Sequence, residues 1–161
     1  MKIGENKSGF TILELIFSVV ASAILLLTVG TVLFMALRSW DQNNAYVTLR
    51  RDAAFAIEMM SRDIHESSDI ITAGKNHLSL SNNVRNYVAT YALNPIDQSM
   101  SCIRTDEANL PFIAGNIETF IATPQMDQGS TTANGVHLHL KMVVPKLDIA
   151  ITNETFVHMR N

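Results

Sequence analysis

Residues 10–37 read FTILELIFSVVASAILLLTVGTVLFMAL, and this stretch decides how the rest of the chain is read. Glu14 is its only ionisable residue, and no charge interrupts the run from Leu15 to Leu37. About 20 apolar residues suffice for a helix to cross a bilayer. A helix satisfies its own backbone hydrogen bonds, as lipid without water demands. Ser18, Ser22, Thr28 and Thr31 punctuate the run. Their hydroxyls can bond a carbonyl one turn back, and they offer small polar spots for helix contacts. The apolar part of a cleaved secretory signal is about 7–15 residues and ends at a small-residue site. Here the apolar sequence continues well past Ala21-Ser22-Ala23, so a lasting single-pass anchor is expected. Flanking charge does not orient it, because Lys2 and Lys7 precede the span while Arg38, Arg50 and Arg51 follow it. Trp40 is placed to mark the interface on the far side.

In front of the span stands a short polar leader, MKIGENKSG, which ends in Gly9. Phe10 and Thr11 follow, then Ile12-Leu13, then Glu14 and the long apolar run. This arrangement resembles the prepilin signature of type IV pilins and type II secretion pseudopilins, closely over Lys7 to Leu27. The resemblance implies that prepilin peptidase, a membrane aspartyl protease, cuts between Gly9 and Phe10. It also implies that Phe10 becomes the new N-terminus and is N-methylated there. The leader carries Lys2, Lys7 and Glu5, a side-chain sum of +1, so its loss takes the formal net charge from −3 to −4. Many major pilins have a proline where this chain has Thr31; here Gly30 and Thr31 could still loosen the helix, since Gly is a poor helix former.

Glu14 has a physical logic of its own. A carboxylate in a membrane helix costs about 2.5–3.5 kcal/mol at the helix centre on insertion scales and less near an end, and such a residue is a functional candidate by default. The resemblance implies that Glu14 pairs with the free N-terminal amine of a neighbouring subunit. That pairing offsets part of the desolvation and favours one register between subunits. The competing reading is an interfacial glutamate that snorkels to the headgroups.

Helical periodicity continues beyond the span. Tyr46, Leu49, Ala53, Ile57, Met60 and Ile64 step by three or four residues, one face of an amphipathic helix. Arg50, Arg51, Asp52, Glu58, Arg62, Asp63 and Glu66 mostly fall on the other faces and are expected to be solvated. One helix from about Phe10 to Asp69 is predicted, its second half packed on a sheet. Strands are predicted at 77–81, 87–91, 117–121, 136–144 and 155–159 from alternation and strand-forming residues. Turn signals stand at Asn82-Asn83, Asn94-Pro95, Ala114-Gly115-Asn116 and Asn134-Gly135, and Gln125 to Asn134 reads as a polar, mobile loop. The fold class is therefore α+β. The resemblance makes it a pilin-like fold, a long N-terminal transmembrane and amphipathic helix on a mostly antiparallel β-sheet. Its organisation is a leader at 1–9, a membrane and filament-assembly helix at 10–37, and a soluble domain at 38–161. IEMMSRDI at Ile57 to Ile64 and the C-terminal FVHMRN resemble minor pseudopilins of the J type and minor pilins of the W type.

Composition bounds the chemistry. Hydrophobic residues make up 47% and charged residues 17%, which suits a packed domain rather than disorder. A net charge of −3 argues against nucleic acid as the partner, since phosphate contacts need Lys and Arg. Cys102 stands alone, without a disulfide partner or a CxxC pair. His137 and His139 would share a face of a strand. With His158 they could approach a metal-like cluster, but no diagnostic spacing accompanies them, and exposed strand histidines are expected. No catalytic spacing, metal or cofactor is expected, and the chain does not read as an enzyme. The expected role is a minor pilin or pseudopilin subunit of a type IV pilus or type II secretion pseudopilus. Its partners would be prepilin peptidase, other pilin subunits, an inner-membrane assembly platform and cytoplasmic membrane lipid. Its location would be the inner membrane, single-pass, with the C-terminal domain outside the cytoplasm, and then the filament. The alternative is a binding module at a filament tip that recognises a surface, a secreted substrate or DNA.

Overall fold

The computed structural model describes residues 11–106, 110–126 and 133–160. The order of elements is α1 (Ile12–Glu66), β1 (Asp69–Ala73), β2 (His77–Asn82), β3 (Tyr87–Asn94), β4 (Ser99–Arg104), β5 (Leu110–Ala114), β6 (Ile117–Met126), β7 (Ala133–Val144), a 3-10 turn (Pro145–Leu147) and β8 (Ile149–His158). This is an α+β arrangement, with antiparallel pairing throughout the described ladders. The chain forms two compact units that divide between Asp41 and Gln42.

In the first unit, every residue from 11 to 41 is exposed and helical from Ile12 onward. Residues 12–37 alone rise about 39 Å at 1.5 Å per residue, more than the roughly 30 Å of a hydrocarbon core. The helix is unbroken through Gly30 and Thr31, where loosening was possible on sequence grounds. The hydroxyls behave as their position demands. Ser18 donates to Leu15 O at 2.9 Å, Ser22 to Ser18 O at 2.7 Å, Thr31 to Thr28 O at 2.8 Å and Thr28 to Ile24 O. Each hydroxyl of this set is therefore paired within the helix. This is one apolar helix of membrane-spanning length near the N-terminus, consistent with a single-pass membrane protein.

In the second unit, α1 buries Leu49, Ala53, Ala56, Met60, Asp63 and Ile64, a seam that steps by four, three, four and three to Asp63. Tyr46, predicted on that seam, is exposed, and Ile57 is only partly buried. The seam packs on a core built from alternate strand residues: Tyr91 of β3, Met100 of β4, and Leu138 and Leu140 of β7 are essentially sealed from solvent. Each such side chain stabilises by about 1.5–3 kcal/mol relative to exposure. α1 ends at Glu66 rather than near Asp69. Ser67 turns the chain by donating both its N–H (3.2 Å) and its hydroxyl (2.7 Å) to Ile64 O.

The single predicted sheet is two ladders, β1-β2-β3-β4-β5 and β6-β7-β8. They meet at the turn after β1. Asn76 N–H donates to Phe120 O at 2.9 Å, Ala122 N–H to Gly74 O at 2.9 Å, and Asn76 O accepts from Leu93 N–H at 2.8 Å. Asn76 holds φ at 67°, in the left-handed region that asparagine tolerates better than most residues. In β6 a bulge between Ile117 and Thr119 switches which parity points inward, so Ile117 and Phe120 are both buried.

All five predicted strands are present and longer than predicted; β8 begins at Ile149, because it pairs with β7 along Gly135 to Val144. β1, β4 and β5 were not predicted. Asn134-Gly135 is inside β7 and not a turn, and the polar loop expected over 125–134 falls mostly at 127–132, outside the described residues. The turn at 82–86 is built by Asn82, whose Oδ1 accepts from Val84 N–H (3.0 Å) and Arg85 N–H (2.9 Å).

Candidate functional site

Two places hold the residues of interest. The first is the head of α1. Gly9 and Phe10, the residues expected to flank the leader cut, lie outside the described residues. Glu14 is described. It is exposed in the first turn, where a carboxylate complements the partial positive charge of the helix N-terminus. Its backbone N–H donates to Thr11 Oγ1 at 3.3 Å and to Thr11 O at 3.1 Å. Thr11 therefore acts as the N-cap, and Thr11-Ile12-Leu13-Glu14 has the form of a capping box. The motif was visible in the sequence as Thr-x-x-Glu before an apolar run.

The second place is buried and was not foreseen. Asp63, predicted among the solvated charges, is 1% exposed. Its Oδ2 accepts a 2.6 Å bond from the Tyr91 hydroxyl. Its Oδ1 lies 3.6 Å from Arg104 Nη1 and 3.9 Å from Arg62 Nε. Arg104, itself nearly buried, donates from Nε and Nη2 to the two carboxylate oxygens of Asp106 at 3.2 and 3.1 Å. Its guanidinium also stacks 4.2 Å above the Tyr87 ring. α1 supplies the acid, β3 the two tyrosines and β4 the arginine. Adjacent antiparallel strands place Tyr91 opposite Cys102, two residues before Arg104.

The electrostatics follow the geometry. Burial, and then the bond to Asp63, push the Tyr91 hydroxyl far above its ordinary pKa. Burial likewise raises Tyr87. Arg104 hydrogen bonding holds the Asp106 carboxyl below its usual range. Desolvation works to lower the Arg104 pKa, but Asp106 and Asp63 outweigh it and hold the guanidinium firmly charged. With Asp63 sealed, no substrate can reach this carboxylate. The cluster's chemistry is to tie α1 to β3 and β4.

No family model, curated protein or solved structure matches the chain.

The histidines are placed by the β7–β8 register. His137 stands opposite Phe156 and His139 opposite Glu154. The Phe156 ring is 4.6 Å from both the His137 and the His158 rings. His137 Nε2 is 2.9 Å from Gln125 Oε1, and His139 Nε2 is 3.4 Å from Glu154 Oε1. The three rings do not converge, and among the described residues no three His, Cys, Asp or Glu side chains are grouped to hold a metal. Cys102 is fully buried, opposite Tyr91 in the β3–β4 register.

Proposed function

We propose that the chain is a pilin-like filament subunit, made as a precursor, cut between Gly9 and Phe10, and held in the inner membrane by its apolar helix with the sheet region outside the cytoplasm. One observation carries the reading. A lone carboxylate, Glu14, stands in the first turn of a helix that is otherwise uncharged to Leu37, five residues after a glycine that closes a polar leader. An exposed apolar helix needs lipid or other helices around it. A carboxylate at its head needs a cation, which the freed amine of Phe10 on a neighbouring subunit would supply. Prepilin peptidase, other pilin or pseudopilin subunits and an inner-membrane assembly platform are the partners this role requires. IEMMSRDI and FVHMRN favour a minor subunit.

The test is Glu14→Ala in cells with active prepilin peptidase. Membrane insertion and processing should persist while incorporation into filaments is lost. Unchanged incorporation would remove Glu14 from assembly. Intact mass of the mature protein should correspond to a methylated chain that begins at Phe10, and a chain still beginning at Met1 would sink the precursor reading. A second reading makes the sheet region a binding module that recognises a surface, a secreted substrate or DNA. A polar cleft at the C-terminal end of α1 favours it.

A further inference from the structure

α1 ends in a cleft of about 420 Å³, lined by His65 and Glu66 of the helix, Asn82, Val84 and Arg85 of the β2–β3 hairpin, and Arg160 after β8. Its size is within the roughly 300–1,000 Å³ of small-ligand pockets. A helix C-terminus ordinarily presents unpaired carbonyls and repels anions. Here three of the last four are satisfied. Ile64 O accepts from Ser67, His65 O from Arg160 N–H at 3.2 Å, and Glu66 O from Asn82 Nδ2 at 2.7 Å. The charge balance of the cleft then rests on its side chains. Glu66 is neutralised by Arg85, Oε2 to Nη1 at 2.8 Å. The Arg160 side chain is exposed and makes no ion pair among the described residues. His65 donates from Nδ1 to His158 O at 3.3 Å, which leaves its Nε2 unpaired. An acidic chain thus carries a locally cationic cleft with one unmatched guanidinium.

We propose that this cleft binds an acidic peptide segment of a partner protein, with a side-chain carboxylate paired to Arg160 and an apolar neighbour resting on Val84. Two features choose that ligand over a phosphate. One unmatched guanidinium balances a monoanion, and it can take a carboxylate through two parallel bonds. Val84, 91% exposed at the rim, offers apolar surface that a bare anion would not use. This takes the binding-module reading further by naming its ligand chemistry. Its failure would leave the filament reading untouched, since that stands on Glu14.

The test uses the full chain in detergent micelles, followed by amide NMR. The probes are a blocked tetrapeptide carrying one valine and one glutamate, its glutamine counterpart, and inorganic phosphate. The acidic peptide should shift the amides of Val84, Arg85 and Arg160 saturably, with affinity of roughly millimolar order. Added salt should weaken it, and Arg160→Gln should weaken it about tenfold or more, the loss of its charged hydrogen bonds to the carboxylate. Val84→Ser should weaken it less, with the β7–β8 amides unmoved in both variants. Equal binding of the glutamine peptide, tighter binding of phosphate at the same amides, or no effect of Arg160→Gln would each overturn the proposal.

Discussion

Replacing Asp63 with alanine is the sharpest perturbation of the second unit, and its cost can be worked from the geometry. The Tyr91 hydroxyl, in a fully buried side chain, loses its 2.6 Å acceptor. A buried donor without a partner costs about 1–3 kcal/mol. Arg104 loses a contact at 3.6 Å but keeps two bonds to Asp106. It therefore avoids the full penalty of about 3–5 kcal/mol for orphaning a buried charge. Removing a desolvated carboxylate returns part of the loss. The net expectation is about 2–3 kcal/mol for Asp63→Ala and about half that for Asp63→Asn, whose amide oxygen can still accept from Tyr91. The assay is hydrogen exchange of the full chain in micelles, read at the slowest amides of β3. A loss of that size should speed their exchange roughly 30- to 150-fold. Tyr91→Phe combined with Asp63→Ala should fall short of additivity by about 1–2 kcal/mol. Acceleration below about threefold, or strict additivity of the pair, would refute the claim that this cluster ties α1 to the sheet.

Three further outcomes follow from particular residues. Tyr91 is held above its ordinary pKa of 10.0 by burial, so the unfolded chain releases this proton first; the contribution is whole below about pH 10 and lost as pH rises. Alkaline denaturation should therefore steepen by about 1.4 kcal/mol per pH unit for this group, and Tyr91→Phe should remove that slope. Gly135→Ala would bring a Cβ to 2.5 Å from Phe156 Cζ and 2.6 Å from Val157 O, so thermal unfolding should show a loss of about 1–3 kcal/mol. At Asn76, with φ at 67°, alanine should cost about 1 kcal/mol and glycine much less, measured by denaturant unfolding with attention to the β2–β6 junction.

The candidate assembly site was legible because it is local. Gly9, Phe10 and Glu14 are read at fixed spacing beside an uncharged run, and no distant residue is needed to recognise them. The five predicted strands were legible for the same reason, since alternation and strand-forming side chains report a half-buried surface. β4 escaped because its inward face is Met100, Cys102 and Arg104, and the arginine breaks the apolar pattern. Asp63 escaped although it sits at a seam position, since a charge on a helix is ordinarily solvated. The spacing Leu49, Ala53, Ala56, Met60, Asp63 was the available signal.

The sequence by itself determined the long apolar helix, its continuation as an amphipathic helix and the strand-rich half. Periodicity and hydropathy are properties of neighbours along the chain. Only the tertiary structure decided that the sheet divides into ladders of five and three, that Asn76 joins them, and that Asp63 is buried against Tyr91 and Arg104. The reason is physical: a charge can be buried only where a partner is waiting, and here the partners arrive from strands 28 or more residues further along the chain.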